Sequence, residues 1–280
     1  DTINTAVKKS IIDGSFVTGI EGEGGKIDIN DLGSPSKLLR DATNAQLVQI
    51  IENRLNQDDD WARDNRSIKP QEIVNNIADW VSEGTTSLNG GSKDSPYAGT
   101  NPPIKPPMRA MKTLEELHMV KGITDELYKI LAPRVTVYGV KGINVNLASL
   151  EVLKSIDPQI TDEIAKKIIE RRSDPNQGPF QNLQDFQSFV QAKGISPDNF
   201  NKKPPIPLLF DSEYNFRIRS TGLYRKATRE IFAIVYDFDK VKGQLAQYLA
   251  SPTPSGSQPP GQAGAGPSPS GAAGGGGATT

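Results

Sequence analysis

Tyr214-Asn215-Phe216-Arg217-Ile218-Arg219 alternates strictly, and Glu230-Ile231-Phe232-Ala233-Ile234-Val235-Tyr236 alternates in part. A period of two belongs to strands with two unlike faces. Gly222 lies between the segments, so the pair is expected to run antiparallel around a loop near it. Near the other end of the chain, Ser15-Phe16-Val17-Thr18-Gly19-Ile20 and Gly25-Lys26-Ile27-Asp28-Ile29-Asn30 carry the same strand signal across a turn at Gly22–Gly25. What lies between these ends reads as helix. The expected class is therefore α+β, with an antiparallel sheet closed by segments far apart in sequence and helices inserted between them.

The helical stretches are marked by caps and apolar spacing. Ser36 is placed to cap a helix through Leu38 and Leu39, and Asn44 to cap a second one carrying Leu47, Ile50, Ile51 and Leu55 on one face. Pro70 stands at the first turn of a helix with Ile73, Val74, Ile77, Trp80 and Val81. Residues 82–110 are rich in Gly, Ser, Asn and Pro, a loop long enough to suggest a function of its own. Thr113-Leu114-Glu115-Glu116 is a capping box. Then Ile123-Thr124-Asp125-Glu126 and Ile160-Thr161-Asp162-Glu163 repeat one design, a threonine cap before an acidic first turn that suits the helix dipole. Each follows a short leucine-bearing helix, which makes two helix–hairpin–helix-like units. Val135–Tyr138 reads as a short strand, Asn146 as the cap of a helix over 147–156, and Asn182 and Gly194 as the ends of a helix over about 183–193.

Composition excludes several classes of function. Among 280 residues there are 32 Lys and Arg against 33 Asp and Glu, so no long-range field draws nucleic acid or an anionic membrane. Cys is absent and His118 is the single histidine, which removes disulfides, thiol nucleophiles and multi-histidine metal sites. No apolar run is long enough to span a bilayer. The chain opens on Asp1, at what looks like the end of a helix, so an anchoring or targeting segment ahead of it is expected. Residues 251–280 carry no charge, no aromatic and no aliphatic residue larger than Ala, and are expected to be disordered.

The order of these pieces resembles protein K of type II secretion systems, a large minor pseudopilin. Gly25–Asn30, preceded by Glu21 and Glu23, resembles the family's Gly-Lys-hydrophobic-Asn-hydrophobic-Asn strand, and Ile77-Ala78-Asp79-Trp80 its Asp-Trp helix end. Leu114–Leu117 with Val120–Ile123, Ile143–Asn146 with Val152-Leu153, Ala165 through Phe186, and Tyr214-Asn215-Phe216 resemble further family segments in the family's order. The resemblance implies a pilin-like antiparallel sheet with a large inserted α-helical domain of two SAM-like units. The divisions it suggests are a pilin-like N-terminal part over 1–33, whose membrane helix is missing, and a first helical unit with the long loop over 34–110. A second helical unit follows over 111–205, then C-terminal strands completing the sheet over 206–245 and a low-complexity tail over 250–280. It also implies a structural role at the pseudopilus tip in initiating assembly, inner-membrane anchoring with the body in the periplasm, and partnership with the I and J minor pseudopilins and other pseudopilins.

Candidate sites follow from the residues and from the resemblance. The resemblance implies calcium in the loop after the Asp-Trp element, with Asp79, Glu83 and Asp94 as candidate ligands. Calcium asks for six to eight oxygens and several carboxylates. Ser82, Gly84 and Lys93 stand where the family pattern has acids, and an ammonium opposes the ion, so a solvated polar loop is the competing reading. The hairpin units raise DNA-backbone binding as an alternative function, with Lys166, Lys167, Arg171 and Arg172 as the basic face. Against it, Asp157 stands in the second turn and both following helices open on Asp-Glu. Asp58-Asp59-Asp60 with Asp64 reads as an exposed charge run, and His118 has no triad around it. No paired carboxylates, triad or phosphate loop supports an enzyme.

Overall fold

A computed structural model describes residues 14–102, 104–196 and 207–249, all of which belong to one compact unit. The helix end expected over 1–12 and the low-complexity tail lie outside the described residues. Strand β1 (Gly14–Gly22) runs antiparallel to β6 (Asn215–Tyr224), from Gly14 opposite Tyr224 to Gly22 opposite Phe216. Strand β7 (Ala227–Tyr236) lines the other side of β6, giving the order β1-β6-β7. The sheet is thus closed by both ends of the described chain, as the alternation at those ends predicts. Gly222 is not the loop but a residue inside β6; the chain reverses at Arg225, which takes a left-handed φ of 54°, and Lys226.

The segment 27–30 departs from its strand signal. Only Ile27–Asp28 is extended (β2), and it pairs in parallel with β3 (Val135–Thr136), inside the helical body rather than in the terminal sheet. Asp28 then turns the chain into a 3-10 helix over Ile29–Gly33 by accepting from the Asn30 N–H at 3.0 Å. Ile27 and Ile29 are both buried, so the alternation reflects burial on two consecutive elements. A second short parallel pair joins β4 (Ile143–Asn144) to β5 (Leu208–Leu209).

Helix α1 (Lys37–Gln57) is one helix where Ser36 and Asn44 suggested two. With neither Gly nor Pro inside it, nothing stops the first turns from running into the second, and Leu39, Ala42, Leu47, Ile50 and Ile51 are buried along it. Asp58 caps α2 (Asp59–Asp64) by accepting from Trp61 N at 2.8 Å. Pro70 opens α3 (Pro70–Val81) as expected. The capping box at Thr113 opens a 3-10 helix over Leu114–Met119, Thr124 caps α4 (Asp125–Leu131), and Thr161 caps α6 (Asp162–Ser173). Helix α5 spans Leu150–Ile156 and is capped by Ser149, not Asn146. Helix α7 spans Leu183–Gln191 behind its Asn182 cap. Helix α8 (Phe238–Leu249) follows β7 in a stretch expected to end the sheet.

One continuous apolar core unites both helical stretches, from Leu47 and Trp80 to Phe180 and Phe186. A smaller cluster of Val140, Leu209, Tyr214 and Val241 lies where the body meets β6 and α8.

Candidate functional site

Two features outside the core offer chemistry or contact: the surface of the terminal sheet with its junction to the body, and the loop after α3. The junction starts from glycines. A Cβ on Gly22 or Gly24 would fall 2.3 and 2.7 Å from the Glu213 carboxylate. Without one, Glu213 reaches in to accept from Gly24 N at 3.1 Å, Tyr214 N at 3.1 Å and Asn215 N at 3.2 Å. Glu23 N donates to Asn215 O at 3.1 Å, and the fully buried Asn215 side chain donates to Tyr138 O at 2.7 Å. The Glu23 carboxylate is buried between Lys26 at 3.0 Å and Arg217 at 3.3 Å, while Arg217 also reaches Glu21 at 2.6 Å. That hydrogen bond from Arg217 is the main reason the Glu21 carboxyl lies below its ordinary range. The two acids ahead of Gly25 therefore tie the sheet to the body through one arginine of β6.

The register sorts the side chains of the sheet onto two faces. Thr18 and Ser220 share a hydrogen bond of 3.0 Å, so they lie on the same side. By alternation, that side also carries Phe16, Ile20, Phe216, Ile218, Ile231 and Val235. Ile20 is 64% exposed, Ile231 66% and Val235 46%. The opposite side carries the pairs Arg217–Glu21 and Arg219–Glu230, the latter at 2.5 Å, and also exposes Val17 and Phe232. An apolar, uncovered sheet face is the mark of a surface made for contact.

The loop after α3 is built around two buried charges. Asp79 points back into it and accepts from Ser87 Oγ at 2.6 Å and from Leu88 N at 3.2 Å. Lys93 places its ammonium against Ser82 O at 2.8 Å, Ser82 Oγ at 2.9 Å and Glu83 O at 3.1 Å. Burial lowers the Lys93 pKa, and the charge of Asp79 works the other way. The Glu83 side chain is exposed, and Asp94 is half exposed beside Lys105 at 3.8 Å. The three candidate calcium ligands do not converge, and among the described residues no group of three or more such side chains could hold a metal ion. The ammonium lies among the carbonyl oxygens that a cation would use, so these residues do not fit calcium.

The remaining candidates are engaged elsewhere. Arg171 Nη2 donates to both carboxylate oxygens of Asp185 at 2.9 Å, its Nη1 donates to Gly178 O at 2.7 Å, and the guanidinium stacks over Phe180. Arg172 donates to Val145 O and Ala148 O at 2.7 and 2.9 Å. Both arginines thus serve the interior of the body, leaving Lys166 and Lys167 of the basic face, and Lys167 is paired with Glu163. The turn before α6 has no glycine because Asp157 folds it, accepting from Gln159 N at 2.7 Å. His118 stacks on Tyr128 and lies 3.3 Å from Asp125. Asp58 pairs with Arg54, while Asp60 and Asp64 pair with Arg63, so the aspartate run belongs to the surface of α2.

Two family profiles described as "Type II secretion system (T2SS), protein K" match residues 25–140 and 143–204, together well over half of the chain. The chain belongs to the type II secretion protein K family. A curated relative, the type II secretion system protein K of Pectobacterium carotovorum subsp. carotovorum, is 24% identical over 187 residues, covering 65% of this chain and 52% of its own. The putative type II secretion system protein K of Escherichia coli K12 is 33% identical over 79 residues, 28% of this chain and 24% of its own. This chain thus spans about half or less of the curated relatives' length. Its fold is similar to a chain in the crystal structure of the GspK–GspI–GspJ complex from enterotoxigenic E. coli, with a TM-score of 0.61 over 80% of this chain and 75% of that one at 16% identity. Membership in a secretion-system family points to the cell envelope. Among the described residues, no helix is long and apolar enough to cross a membrane.

Proposed function

We propose that this protein is a minor pseudopilin that works as a structural part of the pseudopilus tip, together with the I and J minor pseudopilins of its own system, and not as an enzyme. The observation that carries this reading is the sheet closed by both ends of the described chain, with the family-matched helical body inserted between its strands. A fibre subunit needs a sheet free to pack laterally, and the apolar side bearing Ile20, Ile231 and Val235 supplies one. The inserted body is too bulky to be surrounded by neighbours within a fibre, which fits a place at its end.

In this reading a pilin-type anchor outside the described residues holds the precursor in the inner membrane, and the body faces the periplasm. The sheet of β1, β6 and β7 forms the pilin-like portion, and the helical stretches 34–110 and 111–196 form two units sharing one core. Co-expression with the cognate I and J proteins tests the proposal. A ternary complex that persists through affinity capture and size-exclusion chromatography is expected. Formation of an I–J pair that leaves this chain behind would overturn it.

A further inference from the structure

The loop after α3 closes around a positive charge that the chain itself supplies. Lys93 is 3% exposed, and its three ammonium protons meet three acceptors, Ser82 O, Ser82 Oγ and Glu83 O. Those acceptors stand at the end of α3, where the last carbonyls have no helical partner and the helix dipole favours a cation. Asp79, one turn earlier on the same helix, contributes a buried negative charge that favours the ammonium. The carboxylate oxygens of Asp79 are already bonded to Ser87 and Leu88.

From that anchor the loop folds back as a small hairpin. Lys93 N donates to Thr85 O at 3.0 Å, Thr86 bridges Ser92, and Ser87 N donates to Gly91 O at 2.9 Å. Its tip returns to α3 through Asn89, which donates to Glu72 O and Asn76 Oδ1, both at 2.9 Å. A divalent ion in this place would need six to eight oxygens and would meet the ammonium at the carbonyls. We infer that Lys93 is the structural cation of this loop: its ammonium takes the position a metal would occupy and holds residues 82–93 against the end of α3, so the loop keeps its shape without calcium.

This inference is independent of the secretion role, and its test uses the intact chain. Calcium chloride is titrated calorimetrically, thermal melting is followed with and without EDTA, and hydrogen exchange is measured at the amides of Ser87 and Lys93. No saturable heat, an unmoved melting point and unchanged protection under EDTA are expected. Lys93→Met, which keeps the stem and removes the charge, should lower protection of those amides about tenfold or more. A saturable calcium heat, a melting point that falls under EDTA, or full loop protection in Lys93→Met would each overturn the inference. The measurements on the unaltered chain decide even where the variant does not fold.

Discussion

Replacing Lys141 by Met removes the ammonium shared by Asp28 and Asp31, and its cost should depend on pH in a defined direction. Lys141 reaches from the connection before β4 with a left-handed φ of 65°, placing Nζ 3.1 Å from Asp28 Oδ2 and in closer contact with Asp31. The two carboxylates are buried, at 6 and 5% exposure, and the lysine side chain is mostly covered, at 16%. Burial, and then the charge of Asp28, push the Asp31 carboxyl from 3.8 up to about 7. Burial opposes the Lys141 ammonium, but the two carboxylates outweigh it and hold it above the ordinary lysine range.

The folded state therefore binds the Asp31 proton more tightly than the unfolded chain does. Its contribution is complete below pH 3.8 and is lost as pH rises to about 7, a change of at most about 4 kcal/mol. Lys141 stays charged across that window and adds no slope. Without the ammonium, Asp31 remains neutral at pH 5, and the loss there is that of the broken contacts to Asp28 and Asp31, about 1–3 kcal/mol. At pH 8 the wild-type Asp31 is ionised beside the ammonium, whereas in the variant its carboxyl is pushed higher still and has to stay protonated, which adds about 1–2 kcal/mol to the loss. Urea unfolding followed by circular dichroism at pH 5 and pH 8 measures both values. Asp31→Asn serves as the control: it gains stability relative to wild type as pH rises from 5 to 8, by roughly 3 kcal/mol. An equal loss for Lys141→Met at both pH values, or a larger one at pH 5, would refute the assignment of the proton to this triad.

Asn146 receives the Phe180 N–H at 2.8 Å and donates to Phe180 O at 2.9 Å and Phe210 O at 3.2 Å. Asn146→Ala should cost roughly 2–3 kcal/mol in chemical denaturation, because it strands backbone groups inside the body. Gly25→Ala places a Cβ 2.6 Å from the Leu147 carbonyl, whereas Gly19→Ala meets nothing within 4 Å. The first should lower the melting point by several degrees and the second leave it within about a degree, since about 1 kcal/mol moves a protein of this size by only a few degrees. Ile231→Glu on the apolar sheet side should leave the melting point unchanged yet weaken capture of the I and J partners. A variant that melts early or binds normally would remove that side from the proposed contact.

The architecture was legible because its decisive signals are local and periodic. Alternation over 214–219 and 230–236, the threonine caps at 124 and 161, and the proline at 70 each act within a few residues, and each produced the element expected of it. Errors gathered where a distant partner decides the outcome. Ile27-Asp28-Ile29 alternates like a strand, but Val135 and Thr136 pair with only its first two residues, and the Asp28 side chain turns the rest into a helix. Gly222 looked like a turn, but the register from β1 carries β6 past it to Tyr224. Helix α8 was missed because the strand reading was carried through to 245.

The candidate sites show the same division more sharply. Charge counting along the loop was enough to see that Lys93 opposes a metal, because an ammonium carries its sign whatever the fold. That Lys93 would be satisfied by the backbone at the end of α3 depends on the loop returning to its own origin, 10 or 11 residues back along the chain. The asparagines follow the same logic. Asn144 donates to Asp211 O at 2.7 Å and Asn146 to Phe180 O and Phe210 O, joining segments 34 to 67 residues apart. In sequence, Ile143-Asn144-Val145-Asn146 reads as a segment leading into a cap; in the fold its polar residues satisfy buried backbone that no helix or sheet reaches. An asparagine alternating with fully buried aliphatic residues is thus a signal for irregular backbone brought together from elsewhere. Here that backbone is the segment at Phe180 and the chain entering β6, the two places where the helical body must be fastened to itself and to the sheet.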